Sequence, residues 1–133
     1  MAMVRKEIET TASIAQAWDA LRDIGALHTR LVPGFVTETK LEEGARLVTF
    51  SNGMVVREPI ITVDETTRRV VWSVEHEAFT HYNGAAEVLA DGKGARIVWT
   101  ADFLPQDAAE MVDGMMSDGA AAMKKALDRL AAA

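Results

Sequence analysis

The sequence predicts an α+β domain in which one long C-terminal helix lies across a curved, antiparallel sheet of seven strands. Three observations lead there. Between residues 35 and 104 the chain passes through six extended stretches rich in Val, Ile, Thr and aromatic residues. The turn sequences between them are too short to join anything but antiparallel neighbours. From Pro105 to Ala133 the pattern changes to a helical period of about 100° per residue, with an apolar stripe built from small and flexible residues. A chain of 133 residues supports one core, so residues 1–133 are read as a single domain.

Each element has its own signal. Val4 to Glu9 reads as a short strand. Ser13 caps a helix, and Gln16 three residues on completes a capping box. Ile14, Trp18 and Leu21 form that helix's buried face. Asp23 to Leu31 reads as a second short helix, stopped by Pro33-Gly34. The six extended runs are roughly Phe35–Leu41, Arg46–Ser51, Met54–Val63, Val70–Glu77, His81–Ala90 and Ala95–Leu104. Glu42-Glu43-Gly44, Asn52-Gly53, Asp64-Glu65-Thr66-Thr67 and Asp91-Gly92-Lys93-Gly94 supply turns between them.

The last helix places Ala108, Ala109, Val112, Met116, Gly119, Ala120, Met123, Ala126, Leu127 and Leu130 on one stripe, with charged and polar residues opposite. A core-filling helix offers Leu, Ile or Phe there. Small residues leave space and Met adapts to what occupies it, so a hollow of roughly 300–1,000 Å³ is expected beneath this helix.

Composition narrows the function classes. The net charge of −6 argues against nucleic acid or an anionic membrane as the main partner. No segment approaches the roughly 18 apolar residues of a membrane span, and no basic region followed by an apolar run marks a secretion signal. With zero Cys there are no disulfides, thiol nucleophiles or Cys-based metal sites. Cytoplasmic residence is expected. Neither a metal nor a cofactor is expected, and either a monomer or a homodimer fits. Phosphate loops, nucleophile elbows and zinc-binding helices are missing from the sequence.

Strand alternation nominates the residues that face the hollow. Val56, Glu58 and Ile60 share a face, as do Val70, Trp72, Val74 and His76. Tyr82, Gly84, Ala86 and Val88 form a third inward set, and Ile97, Trp99, Ala101 and Phe103 a fourth. The expected ligand-lining residues are therefore Trp72, Val74, Tyr82, Ala86 and Trp99, facing Val112, Met116, Gly119 and Met123 of the helix. Trp72 and Trp99 read as core ahead of ligand platform, two readings that overlap where the cavity wall is the core, and Met111, Met115, Met116 and Met123 read equally as plain packing. Pro59 leaves two readings of Glu58, one in the pocket and one turned outward by a bulge. His28 stands either at the mouth of the hollow or as a helix-cap or surface histidine, and Arg30 reads as solvated ahead of the alternative that it holds an anionic ligand group. His76 and His81 flank a turn without a third ligand, which makes a poor metal site. Should the protein be an enzyme, acid–base work falls to Glu58, with Tyr82 or His28 orienting the substrate.

The element order resembles the helix-grip fold of the START and birch-pollen-allergen superfamily. Ala17-Trp18-Asp19-Ala20-Leu21-Arg22-Asp23 is similar to that superfamily's first-helix signature. The run from Gly25 to Val36 resembles the helix-to-strand passage of its bacterial SRPBCC branch, the polyketide cyclase/dehydrase-like proteins. So do Asn52-Gly53 with Glu58, Asp64, and Val98-Trp99 before Phe103-Leu104-Pro105. The resemblance spans the whole chain. It implies a small-molecule pocket in which Glu58 and Tyr82 match a strand Glu and Tyr of the plant hormone receptors of this fold. The tight Asn52-Gly53 turn departs from those receptors' Leu-Pro gate, which counts against a gated sensor. Three functions follow: binding or carriage of a hydrophobic molecule, cofactor-free cyclisation or dehydration, or an accessory protein with a collapsed cavity.

Overall fold

A computed structural model describes residues 2–133. The elements are β1 (Ala2–Thr10), α1 (Ile14–Arg22), a π-helical turn (Leu27–Leu31), β2 (Val36–Glu42), β3 (Ala45–Phe50), β4 (Val55–Asp64), β5 (Arg69–Ser73), β6 (His81–Asp91), β7 (Gly94–Leu104), a 3₁₀ turn (Gln106–Ala108) and α2 (Ala109–Ala132). All seven strands join one antiparallel sheet in the order β1-β7-β6-β5-β4-β3-β2. This is the helix-grip arrangement, with α2 held along β1 and against α1 and the π-helical turn.

Local chemistry explains the first half. Ser13 accepts from the Gln16 backbone N–H at 3.0 Å, while the Gln16 side chain accepts from Ser13 N at 3.0 Å, closing the capping box. Trp18 and Leu21 are buried with Ala17 and Ala20, whereas Ile14 is only half-buried. The helix expected over Asp23–Leu31 is cut down to the single turn at Leu27–Leu31. Asp23 already leaves helical geometry, and Ala26 N–H turns back to Asp23 O. Arg30 then clamps this segment to α1 by pairing with both Asp19 and Asp23.

The fifth strand is shorter than its sequence pattern. Regular pairing ends at Ser73; Val74 N–H still donates to Tyr82 O and Glu75 still bridges Arg57, and then His76 Nδ1 accepts from Ala78 N–H and His76 O from Phe79 N–H, folding residues 76–79 into a turn. His76 therefore lies outside the strand that alternation assigned it to.

Polar ties fix α2 against the sheet, one of them Lys124 Nζ donating to Glu9 O at 2.7 Å. Asp128 accepts from Thr10 Oγ1 at 2.7 Å and from Thr11 N–H at 3.1 Å, and Lys6 meets Asp113 at 2.9 Å nearer the start of the helix. Between them Val112, Met116, Gly119, Met123 and Leu127 are buried. Leu130, expected on the stripe, is exposed, since Ala131 sits nearer to Leu127's line along the helix and takes up the packing.

Candidate functional site

The concave side of the sheet is ordered in rows that alternate large and small residues. Val70, Ala86 and Trp99 stand opposite one another across β5, β6 and β7, and so do Trp72, Gly84 and Ala101. Each indole has a glycine for a seat. A Cβ placed on Gly84 would overlap the Trp72 ring. One placed on Gly119 would stand 2.8 Å from Trp99 Cη2 and 3.0 Å from Phe35 Cε2, tighter than carbon atoms pack.

That packing corrects the expectation of one wide hollow. The small residues of α2 do leave space, and at Gly119 the Trp99 indole and Phe35 ring fill it. Among the described residues, cavities of about 60 Å³ each lie on either side of this packing. The first lies toward β3 and β4, bounded by Trp72, Ala86, Trp99 and Met123 together with Arg46 and Glu58. The second lies toward the start of α2, bounded by Val74, Tyr82, Trp99, Val112 and Met116. Trp99, Phe35 and Phe50 wall both. The two phenyl rings meet edge to face at 5.2 Å and also floor an outer groove of about 470 Å³ between the Asn52 turn and α2. The residues nominated on the strands and helix are thus divided between two chambers, and Gly119 supports the partition.

Glu58 faces inward. A β-bulge does occur in β4, but it falls between Ile60 and Thr62, after Pro59, so the parity set by Val56 is intact at Glu58. Directly across the ladder is Arg46, a residue that sequence reading passed over although it shares the parity of Val48. Arg46 Nε donates to Glu58 Oε1 at 2.8 Å, and the two side chains are 4% and 8% exposed. The guanidinium carbon lies 5.3 Å from the centre of the Trp72 ring, and Nη1 donates to Ile24 O at 3.3 Å. Burial pushes the Glu58 carboxyl above the ordinary glutamate range, against the pull of the neighbouring guanidinium.

The other polar nominees lie apart. Tyr82 belongs to the second cavity, stacked on Phe103 at 5.8 Å and edge-on to Phe79 at 4.9 Å. Burial, and secondarily the negative charges of Glu58 and Asp102, raise its phenol pKa, so it remains a neutral hydroxyl. His28 Nδ1 shares a 3.1 Å hydrogen bond with Thr39 Oγ1 and lines neither cavity. His81 donates to Asp102 at 2.9 Å on the half-exposed rim. The structure does not bring Glu58, Tyr82 and His28 to one point. Trp99 adds a further polar group, since its Nε1 is buried without a hydrogen-bond partner among the described residues.

Over residues 1–133 the sequence matches the family described as polyketide cyclase/dehydrase and lipid transport. The chain belongs to that family. Solved structures similar to this polyketide cyclase/dehydrase and lipid transport family member include the protein XoxI from Bacillus cereus, at 22% identity and a TM-score of 0.86, covering 98% of each chain. A START superfamily protein from Mycobacterium smegmatis matches at 14% identity and a TM-score of 0.72, covering 98% of this chain and 97% of that one. Norcoclaurine synthase from Thalictrum flavum matches at 23% identity and a TM-score of 0.71, covering 97% and 85%. At such identities the likeness concerns the fold alone. No curated protein matches the sequence. No helix among the described residues is long and apolar enough to cross a membrane.

Proposed function

We infer that this family member binds a small hydrophobic molecule inside the sheet, beneath α2. One observation carries the reading: an internal cavity whose wall is apolar and aromatic except for the adjacent Arg46 and Glu58. Apolar walls with a few convergent polar groups are the usual chemistry of a small-molecule site. The family's description, which includes lipid transport, points the same way. Catalysis of a cyclase or dehydratase kind is the second reading, favoured by a carboxyl of raised pKa in the cavity wall. The scatter of Tyr82 and His28 away from Glu58 weighs toward binding, since acid–base catalysis needs its groups within reach of one reacting atom.

Native mass spectrometry of the protein purified from its own host tests this. A bound mass that disappears on solvent extraction is expected. Ala86→Leu, which fills the first cavity, should lower its occupancy severalfold while far-UV dichroism stays unchanged. A bare protein mass, together with no uptake of toluene by the extracted protein, refutes the reading.

A further inference from the structure

Arg46 and Glu58 use only part of their hydrogen-bonding capacity on each other. Nε and Oε1 form the pair, and Nη1 reaches Ile24 O. Arg46 Nη2 and Glu58 Oε2 make no hydrogen bond within the described residues, and both side chains line the first cavity. One ion pair therefore leaves a donor and an acceptor without a protein partner among the described residues, on side chains that line an apolar chamber. The chamber's charge is already balanced, because one cation faces one anion at 2.8 Å. A third buried charge would enter with no partner and lose its hydration.

Resting on the binding reading above, we propose that this end of the cavity recognises a neutral head group carrying an acceptor beside a donor, and rejects a carboxylate of the same shape. An acceptor such as a carbonyl oxygen takes the free Arg46 Nη2–H, and an adjacent N–H or O–H donates to Glu58 Oε2. At about 60 Å³ the cavity is smaller than a one-ring ligand, so the apolar body lies along Trp72, Ala86 and Trp99 only when Phe35 and Phe50, the rings shared with the outer groove, give way. Neither atom is fully enclosed, so a head group lacking either function displaces water without replacing its hydrogen bond, which is where polar selectivity in a small site comes from.

Four one-ring probes isolate the effect: toluene, acetophenone, benzamide and benzoate. Binding is read at pH 7.5 from the indole N–H resonances of Trp72 and Trp99. Benzamide is expected to bind about tenfold tighter than toluene, the sum of two modest hydrogen bonds, with acetophenone between them and benzoate weakest. Glu58→Gln keeps the shape but leaves Arg46 uncompensated, so benzoate should overtake benzamide. Replacing both partners, by Arg46→Met with Glu58→Leu, should erase the discrimination while toluene still binds. Equal affinities for all four probes, or benzoate tightest in the parent protein, overturn the head-group assignment and leave hydrophobic binding standing. Toluene that moves neither indole resonance overturns the binding reading itself.

Discussion

Arg46→Met removes the partner that the buried Glu58 carboxylate has among the described residues and keeps much of the side chain's apolar volume. With both side chains less than a tenth exposed, the loss falls in the regime where breaking a buried pair costs roughly 3–5 kcal/mol. The cost should depend on pH. Burial already holds the folded-state pKa of Glu58 above the unfolded value of about 4.3, so between those two pH values the folded state carries the extra proton and stability falls as pH rises. Without the guanidinium the folded pKa climbs further and the window widens upward. At about 1.4 kcal/mol per unit, a loss of 3 kcal/mol corresponds to roughly two further units. The difference between variant and parent should be small near pH 4, grow through neutrality, and level off once the pH passes the variant's folded pKa. Urea unfolding followed by tryptophan fluorescence at half-unit pH steps measures it. Adding Glu58→Met to the variant should recover most of the stability at neutral pH, since an apolar pair of similar volume avoids both desolvation costs. A difference that is flat with pH, or a double variant as unstable as the single one, would refute the reasoning.

Further outcomes follow from the packing and the ties. Gly84→Ala pushes a methyl into the Trp72 indole in a close-packed wall, and should cost about 1–3 kcal/mol in urea unfolding with a change in near-UV dichroism; unchanged spectra and stability would show that the indole is free to move. Phe50→Ala removes one ring of the edge-to-face pair that separates both cavities from the outer groove. It should speed release of a bound probe at least tenfold, as read by NMR exchange broadening, and unaltered exchange would place the access route elsewhere. Thr10→Val deletes the hydroxyl that holds the Asp128 carboxyl below its ordinary value. The stability this bond adds is present above the unfolded carboxylate pKa of about 3.9 and disappears as pH falls through the lower folded value. The variant should therefore lose most at neutral pH and near pH 2 keep only the pH-independent cost of the buried Ala12 N–H, which also donates to Thr10 Oγ1; a difference that does not change with pH would leave the Asp128 bond no part in the effect.

Much of the fold was legible because it rests on short-range rules. The capping box at Ser13 and Gln16, the turn chemistry between strands and the period of α2 each depend on residues within a few positions of one another. Alternation placed Glu58 on the inner face, and the bulge that could have reversed it came two residues too late to matter. Arg46 carried the same signal by sharing the parity of Val48, so its place in the wall was readable from the strand pattern.

What the sequence by itself determined was the element order, the antiparallel pairing and the side of each strand that faces α2, since period and turn length settle these locally. Only the tertiary structure decided how the interior is used. Whether Gly119 borders a void or a ring depends on an indole twenty residues earlier in the chain, and the pairing of Arg46 with Glu58 on the register between two strands. A residue's neighbours across the core are chosen by packing all elements at once, and volume left over from that packing has no signature in the sequence of any single one.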